Sequence, residues 1–219
     1  MNVFARLKIG QRLYLGFAVV LALLVGVTAL AWSGLKASQA ATERVVVMDR
    51  RAAATEEWMH STTLNINRVL ALARSRNDPA VDAHFKPLIA KTTERINEVQ
   101  KALEAEIVSE RGKALLTDIG IKRAEYIAVR KTFFDALKAG DAAAADQILD
   151  KGLLPAADAY SGKQQELLNY QIELVGKAVE ASSATVQGQI VMLLGLAAAA
   201  IALAIGLAWR ITRSVTQPL

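Results

Sequence analysis

Two arginines and a tyrosine in the stretch RAEYIAVR, namely Arg123, Tyr126 and Arg130, have the spacing of a single helix face. Steps of three and four residues bring side chains into line along a helix. A guanidinium group binds a carboxylate through two parallel hydrogen bonds, and a phenol orients a further oxygen. These residue types at this spacing therefore predict a binding site for a small organic anion.

Apolar residues extend the same face in both directions: Leu116, Ile119, Phe133 and Leu137. Such a stripe is typical of a helix that packs in the core of a bundle. Arginine is almost never fully buried without a partner, because its charge is costly to remove from water. The two cations need carboxylates, either from bundle residues such as Glu94, Glu98 and Glu125 or from a ligand.

Depth along the bundle predicts which polar residues surround Tyr126. Counted from the predicted turns, Thr92 on the second helix and Thr62 on the first helix lie at the same level, with Thr63 adjacent. None of these inward polar positions is acidic. We therefore predict a site for a small carboxylate, such as a C4-dicarboxylate or citrate, formed by Thr62, Thr63, Thr92, Arg123, Tyr126 and Arg130.

Enzyme motifs are absent from the sequence. It has no Gly-rich phosphate loop, no nucleophile elbow and no His-Glu metal spacing. His60 and His84 are isolated, and there is no cysteine. We predict no catalytic residues, no metal site and no cofactor, and we interpret the protein as a binding module that is not an enzyme.

Two uncharged apolar runs, 13–35 and 190–209, flank the helical segment that contains the predicted site. Each is long enough to cross about 30 Å of hydrocarbon. The first run also contains Ala29-Leu30-Ala31, the outline of a signal-peptide cleavage site, but it is longer than the apolar core of a signal peptide. We therefore predict two transmembrane helices.

The charges predict the orientation of these helices. Arg6, Lys8 and Arg12 precede the first run, Arg210 and Arg213 follow the second, and all acidic residues lie between the runs. Excess Lys and Arg mark cytoplasmic ends, so 1–12 and 210–219 are predicted to be cytoplasmic and 36–189 periplasmic, in a cell inner membrane. The net charge of +5 comes from these ends, and the neutral middle gives no reason to expect nucleic acid binding.

The exterior segment is helical in composition, with proline only at Pro79, Pro87 and Pro155. Turn signals at Asn77-Asp78, Gly112 and Gly140 predict four helices, 36–76, 79–111, 113–139 and 141–189. Short connections make neighbouring helices antiparallel. The predicted fold is all-α, an up-down-up-down four-helix bundle with two transmembrane helices, and Gly152 and Pro155 should break or kink the fourth helix.

This layout resembles the bacterial methyl-accepting chemotaxis receptors with a periplasmic four-helix-bundle ligand-binding domain. LKAGDAAAADQILDKGLLPAADAY resembles the start of the fourth helix of such sensors, and WRITRSVTQPL at 209–219 looks like the start of a HAMP linker. The resemblance implies a transducer that works as a dimer. It also implies signalling through HAMP to the cytoplasmic chemotaxis kinase and coupling protein.

Related amino-acid receptors hold a ligand carboxylate with arginines of the first helix at a dimer interface. That resemblance makes Arg68 and Arg74 a second set of candidates, for a ligand or for a dimer interface. The same kind of sensor domain also occurs as the input half of sensor histidine kinases and nucleotide cyclases. A periplasmic bundle that binds a partner and no small ligand is a further alternative.

Overall fold

The computed structural model describes residues 9–76 and 78–216, which are almost entirely helical. The main helices are α1 (Ile9–Arg74), α2 (Pro79–Glu106), α3 (Glu110–Lys138), α4 (Ala142–Ile148) and α5 (Leu154–Thr216), with a π-helical segment, Leu149–Leu153, between α4 and α5. Several predicted features lie outside the described residues: Arg6, Lys8, Asn77, Pro218 and Leu219. The side chains of Arg12 and Ile211 are also outside them.

The chain forms two compact units. One is the bundle, Val45–Lys177. It contains the part of α1 after Arg44, all of α2, α3 and α4, and the part of α5 up to Lys177. The other consists of the chain before Val45 and after Lys177. The predicted all-α class and four-helix bundle are confirmed.

Helix starts are fixed by side-chain caps. Asp78 accepts hydrogen bonds from the backbone amides of Ala80 (2.9 Å) and Val81 (3.2 Å), and Asp141 accepts one from Ala144 (3.0 Å). Gly140, with φ of 77°, ends the turn before α4 in a conformation that favours glycine. These caps satisfy amides that have no partner within the helix.

The turn between α2 and α3 differs from the prediction. α2 ends at Glu106 and α3 begins at Glu110, so Gly112 lies in the first turn of α3 rather than between the helices. Ser109 caps this turn, its Oγ accepting from the Gly112 amide at 3.3 Å. The sequence-based boundary failed because the glycine is there for close packing: an added Cβ would lie 2.7 Å from Ser109 Oγ and would also collide with Ile107.

The fourth bundle helix is interrupted, as predicted from Gly152 and Pro155. The π-helical segment contains Gly152, where an added Cβ would lie 3.0 Å from Val129 Cγ1 on α3. Pro155 lies within the first turn of α5, where the missing amide hydrogen costs little. A π-helical turn adds one residue to the helix and rotates the residues after it about the helix axis.

The bundle core is largely apolar and also contains buried polar side chains. The largest side chains that are almost completely buried include Trp58, Leu103, Ile119, Phe133, Leu153 and Leu167. Thr55, Thr62, Gln164 and Gln171 are just as deeply buried. Burial of polar groups is costly unless they are hydrogen-bonded, and the Thr62 hydroxyl accepts such a bond from Gln164.

The other unit contains the apolar runs. α1 and α5 each include a stretch long and apolar enough to cross a membrane, and none of its most apolar window is buried by protein. Side chains such as Leu21, Leu24, Leu194 and Ile201 are exposed there. Exposed apolar surface of this extent is stable in lipid.

Candidate ligand-binding site

The predicted stripe on α3 does face the bundle interior. Leu116, Ile119, Tyr126 and Phe133 are buried, whereas Arg123 and Arg130 are half-buried. The stripe alternates steps of three and four residues, which keeps its members on one side of α3 over five turns. Helix α3 therefore presents two guanidinium groups and a phenol to its neighbours.

A cavity lies between α1, α2, α3 and α5 at this level. Its polar lining residues are Thr62, Asn65, Thr93, Arg123, Tyr126, Arg130 and Tyr160, and its apolar ones are Ile66, Ile96 and Ile127. The space between these residues measures about 370 Å³ and is partly open to solvent, and the centres of water molecules reach about 40 Å³ of it. One water needs roughly 10–15 Å³ by this measure, so the cavity is narrow.

The two arginines have neutral partners. Arg123 donates to the amide oxygens of Asn97 and Gln100 on α2. The Arg130 guanidinium carbon lies 5.7 Å from the ring centroid of Tyr126. Across the described residues, no Asp or Glu oxygen lies within 4.0 Å of either guanidinium group.

Two of the glutamates considered as partners are engaged elsewhere. Glu98 accepts from Arg95 at 3.1 Å, and Glu125 accepts from Lys122 at 2.8 Å. These are exposed ion pairs of neighbouring helix positions, which stabilise by a few tenths of a kcal/mol. The cavity is thus rich in hydrogen-bond donors and its described lining contains no carboxylate.

Two of the residues that line the cavity are tyrosines, Tyr126 and Tyr160. The rings of Tyr126 and Tyr160 are stacked with centroids 6.1 Å apart. Burial raises the pKa of Tyr126, against the opposing charge of Arg130, and burial likewise raises the pKa of Tyr160. Both phenols are therefore neutral at neutral pH and keep a proton to donate.

Thr62 is the predicted threonine that meets the cavity. It is 1% exposed, accepts a hydrogen bond from Gln164 Nε2 at 3.0 Å, and its Oγ1 lies 3.5 Å from the Tyr160 hydroxyl. Thr63 is exposed and its hydroxyl donates to the Met59 carbonyl at 3.0 Å, so it does not line the cavity. One helix position turns a side chain by about 100°, and here that turn directs Thr63 to solvent while Thr62 faces the cavity.

Thr93 lines the cavity, whereas the predicted Thr92 does not. Thr92 Oγ1 instead accepts from Arg68 Nη1 at 2.6 Å, and the same nitrogen donates to the Leu88 carbonyl at 3.1 Å. Arg68 thereby joins α1 to α2 outside the cavity. Arg74 is exposed at the end of α1 and does not line the cavity either.

Asn65, Thr93 and Tyr160 line the cavity, although the sequence did not predict that they lie beside Tyr126. Asn65 lies three residues after Thr62, so the helical period alone would have identified it. The level and face of Tyr160 depend on the π-helical segment before it. Such a segment has no reliable sequence signature.

Arg130 also borders a second cavity, nearer the turn before α4. This space, about 710 Å³ and partly open to solvent, is lined by Lys86, Lys138, Asp82 and Phe134 among others. Asp82 pairs with Lys86. Positive charge therefore extends from the inner cavity toward the end of the bundle.

Comparison with known proteins places the chain in a family. No curated protein matches it. A sequence model described as the four-helix-bundle sensory module for signal transduction matches residues 6–186, most of the chain. The chain belongs to this family, the four-helix-bundle sensory modules of methyl-accepting chemotaxis receptors.

Proposed function

We propose that this protein is the sensory and transmembrane part of a chemoreceptor that binds a small organic acid, a C4-dicarboxylate or citrate. The observation that carries the proposal is the cavity with Arg123 and Arg130 in its wall and no carboxylate in its described lining. A ligand with two or three carboxylates supplies the missing counter-charge. The neutral phenols and hydroxyls around it supply orientation.

The strength of such an interaction is sufficient for sensing. Charge-assisted hydrogen bonds contribute about 1.5–3 kcal/mol each, and both guanidinium groups are half-buried, where screening by water is reduced. Amide oxygens hold Arg123 in place before binding. Preorganised donors lose little side-chain entropy when a ligand arrives.

The narrow cavity links binding to a change in the bundle. Because it has room for only a few waters, a C4-dicarboxylate fits when the surrounding helices separate slightly. A ligand that binds the wider arrangement better shifts the population toward it. α5 is continuous from the Tyr160 side of the cavity to Thr216, so it is the helix expected to carry the change to HAMP.

The membrane arrangement is part of the proposal. Lys and Arg at both ends support cytoplasmic ends and a periplasmic segment 36–189. The family supports a homodimer that signals through HAMP to the chemotaxis kinase and coupling protein.

Thermal unfolding of the chain in lipid nanodiscs, with a panel of acids, tests the proposal. A ligand at about 100 times its Kd stabilises the bundle by about 2.7 kcal/mol. We expect malate, succinate or citrate to raise the Tm by several degrees. Malate diamide, which keeps the size and removes the charges, is the control and should leave the Tm unchanged.

If no carboxylate changes the Tm while circular dichroism shows an intact bundle, the proposal is overturned. That result would favour the alternative in which the bundle binds a partner protein directly. Equal stabilisation by malate and its diamide would show that the arginines do not recognise charge.

A further inference from the structure

Asn65 lines the cavity, and its side-chain oxygen has no hydrogen-bond partner among the described residues. Its side chain is 7% exposed, and its Nδ2 donates to Thr93 Oγ1 at 2.9 Å and to the Ile89 carbonyl at 3.3 Å. Its Oδ1 is buried and has no hydrogen-bond partner within the described part of the chain. A buried acceptor left in this way costs about 1–3 kcal/mol.

The two hydrogen-bond partners of the Asn65 amide on α2 determine its orientation. The Ile89 carbonyl can only accept, and the Thr93 hydroxyl already donates its hydrogen to that carbonyl at 2.8 Å. A flipped amide would set Oδ1 against the Ile89 carbonyl, and it could accept from Thr93 only if that hydroxyl gave up its bond to the same carbonyl. The nitrogen therefore faces α2, and the planar amide directs Oδ1 away from these two oxygens.

A second polar atom in the cavity wall is in the same position. The hydroxyl of Tyr126, a residue 5% exposed, is buried and forms no hydrogen bond of good geometry among the described residues, although Arg130 is close enough to act against the rise in its pKa. Asn65 Oδ1 accepts only, whereas the phenol both donates and accepts. Carboxylates satisfy the phenol and the arginines, but a carboxylate has no hydrogen to give to Asn65.

The group that meets Asn65 must therefore be a donor on the ligand. An ammonium group and a hydroxyl both qualify by hydrogen bonding. An ammonium group would stand beside Arg123 and Arg130 with no acid in the described lining to offset it, and like charges repel at such range. The cavity thus favours a neutral hydroxyl.

We propose that Asn65 is a specificity residue that selects 2-hydroxy acids over the corresponding unsubstituted and amino acids. The proposal rests on the carboxylate-binding function proposed for this cavity. The ligand hydroxyl donates to Asn65 Oδ1 while its carboxylates meet the two arginines. Loss of the hydroxyl leaves the Asn65 oxygen buried without a partner, which explains why selection is possible at a single hydroxyl.

The test is calorimetric titration of the chain in nanodiscs with malate, succinate and aspartate, which differ at one carbon. The ratio of the succinate Kd to the malate Kd is the quantity of interest, because general damage to the fold affects both ligands alike. We expect malate to bind about tenfold or more tightly than succinate, and aspartate to bind most weakly. In N65A the ratio should fall to about 1.

N67A is the matched control, since Asn67 lies on the same helix and is exposed; its ratio should equal that of the parent chain. If N65A does not fold, Y126F, which keeps the ring, provides a second variant that should retain the preference for malate while weakening all three ligands. Equal Kd values for malate and succinate in the parent chain would overturn the selection by Asn65 and leave carboxylate binding intact. Absence of binding by every acid would overturn the proposed function as well.

Discussion

The guanidinium of Arg130 lies over the ring of Tyr126, 5.7 Å from its centroid, and no carboxylate oxygen in the described structure approaches it within ion-pair distance. A cation that is half-buried without an acid destabilises the ligand-free state through desolvation. The contact with the ring offsets part of this, by about 0.5–1 kcal/mol. Arg130 therefore contributes little to the stability of the ligand-free bundle, and the proposed function assigns it to ligand binding.

The first prediction concerns R130M, which replaces the cation with an apolar chain of similar length. We expect the ligand-free bundle to lose no stability and to gain up to about 1 kcal/mol, while the stabilisation by malate or citrate falls by about half or more. Chemical unfolding with and without ligand measures both. K131M, at an exposed position that pairs with Asp135, is the control for the loss of one positive charge. A fall in stability of several kcal/mol in R130M would reveal an internal ion pair and would contradict the prediction.

The second prediction uses the partner of Arg123. N97D converts an amide oxygen that accepts from Arg123 into a carboxylate at the same place. This carboxylate, at an exposed position of α2, should compete with the ligand for Arg123 and weaken malate binding by about tenfold. The Tm should change little, because exposed ion pairs contribute at most about 1 kcal/mol. N169D introduces the same charge at an exposed position on α5, and its affinity should match that of the parent chain. Unaltered affinity in N97D would mean that Arg123 does not meet the ligand.

The third prediction concerns the raised pKa values of Tyr126 and Tyr160. For a phenol whose folded pKa exceeds the unfolded value of about 10, the associated stability is complete below about pH 10 and is lost as pH rises through the folded pKa. The Tm should therefore fall more steeply above about pH 10 in the parent chain than in Y126F. An absorbance titration of tyrosinate checks the assignment, since Y126F should lack a late step. Identical alkaline profiles would count against burial of this phenol.

The fourth prediction compares two glycines on α3. An added Cβ at Gly112 would meet Ile107 and Ser109 in the turn before α3, whereas nothing lies within 4 Å of the corresponding position at Gly120. G112A should destabilise the bundle by about 1–3 kcal/mol, and G120A should stabilise it by about 0.5–1 kcal/mol. Urea unfolding of the two variants checks this, and the same sign of change in both would refute the described packing.

Local periodicity predicted the features that lie on one helix. The α3 stripe with Arg123, Tyr126 and Arg130 needed only the helical repeat, and the turns at Asp78 and Gly140 needed only the residue types found there. Depth counting then placed Thr62 at the cavity, where the structure has it, but it selected Thr92 where Thr93 lines the wall. Steps of three and four residues leave an uncertainty of one position, and only the rotation of one helix against another resolves it.

Contacts between side chains of different helices could not be predicted from the sequence. The bonds from Arg123 to Asn97 and Gln100 depend on how α2 and α3 are rotated about their axes. The position of Tyr160 depends on the extra residue of the π-helical segment. The pairing of Arg68 with Thr92 required knowing that Thr92 faces α1 rather than the cavity.

Calorimetric titration of malate and citrate into the parent chain, R123A and R130A in nanodiscs tests the central claim, that a bound carboxylate neutralises these two arginines. We predict measurable binding to the parent chain and a loss of about 10- to 100-fold in affinity in each variant, the equivalent of about 1.4–2.8 kcal/mol. Unchanged affinity in both variants would contradict the claim.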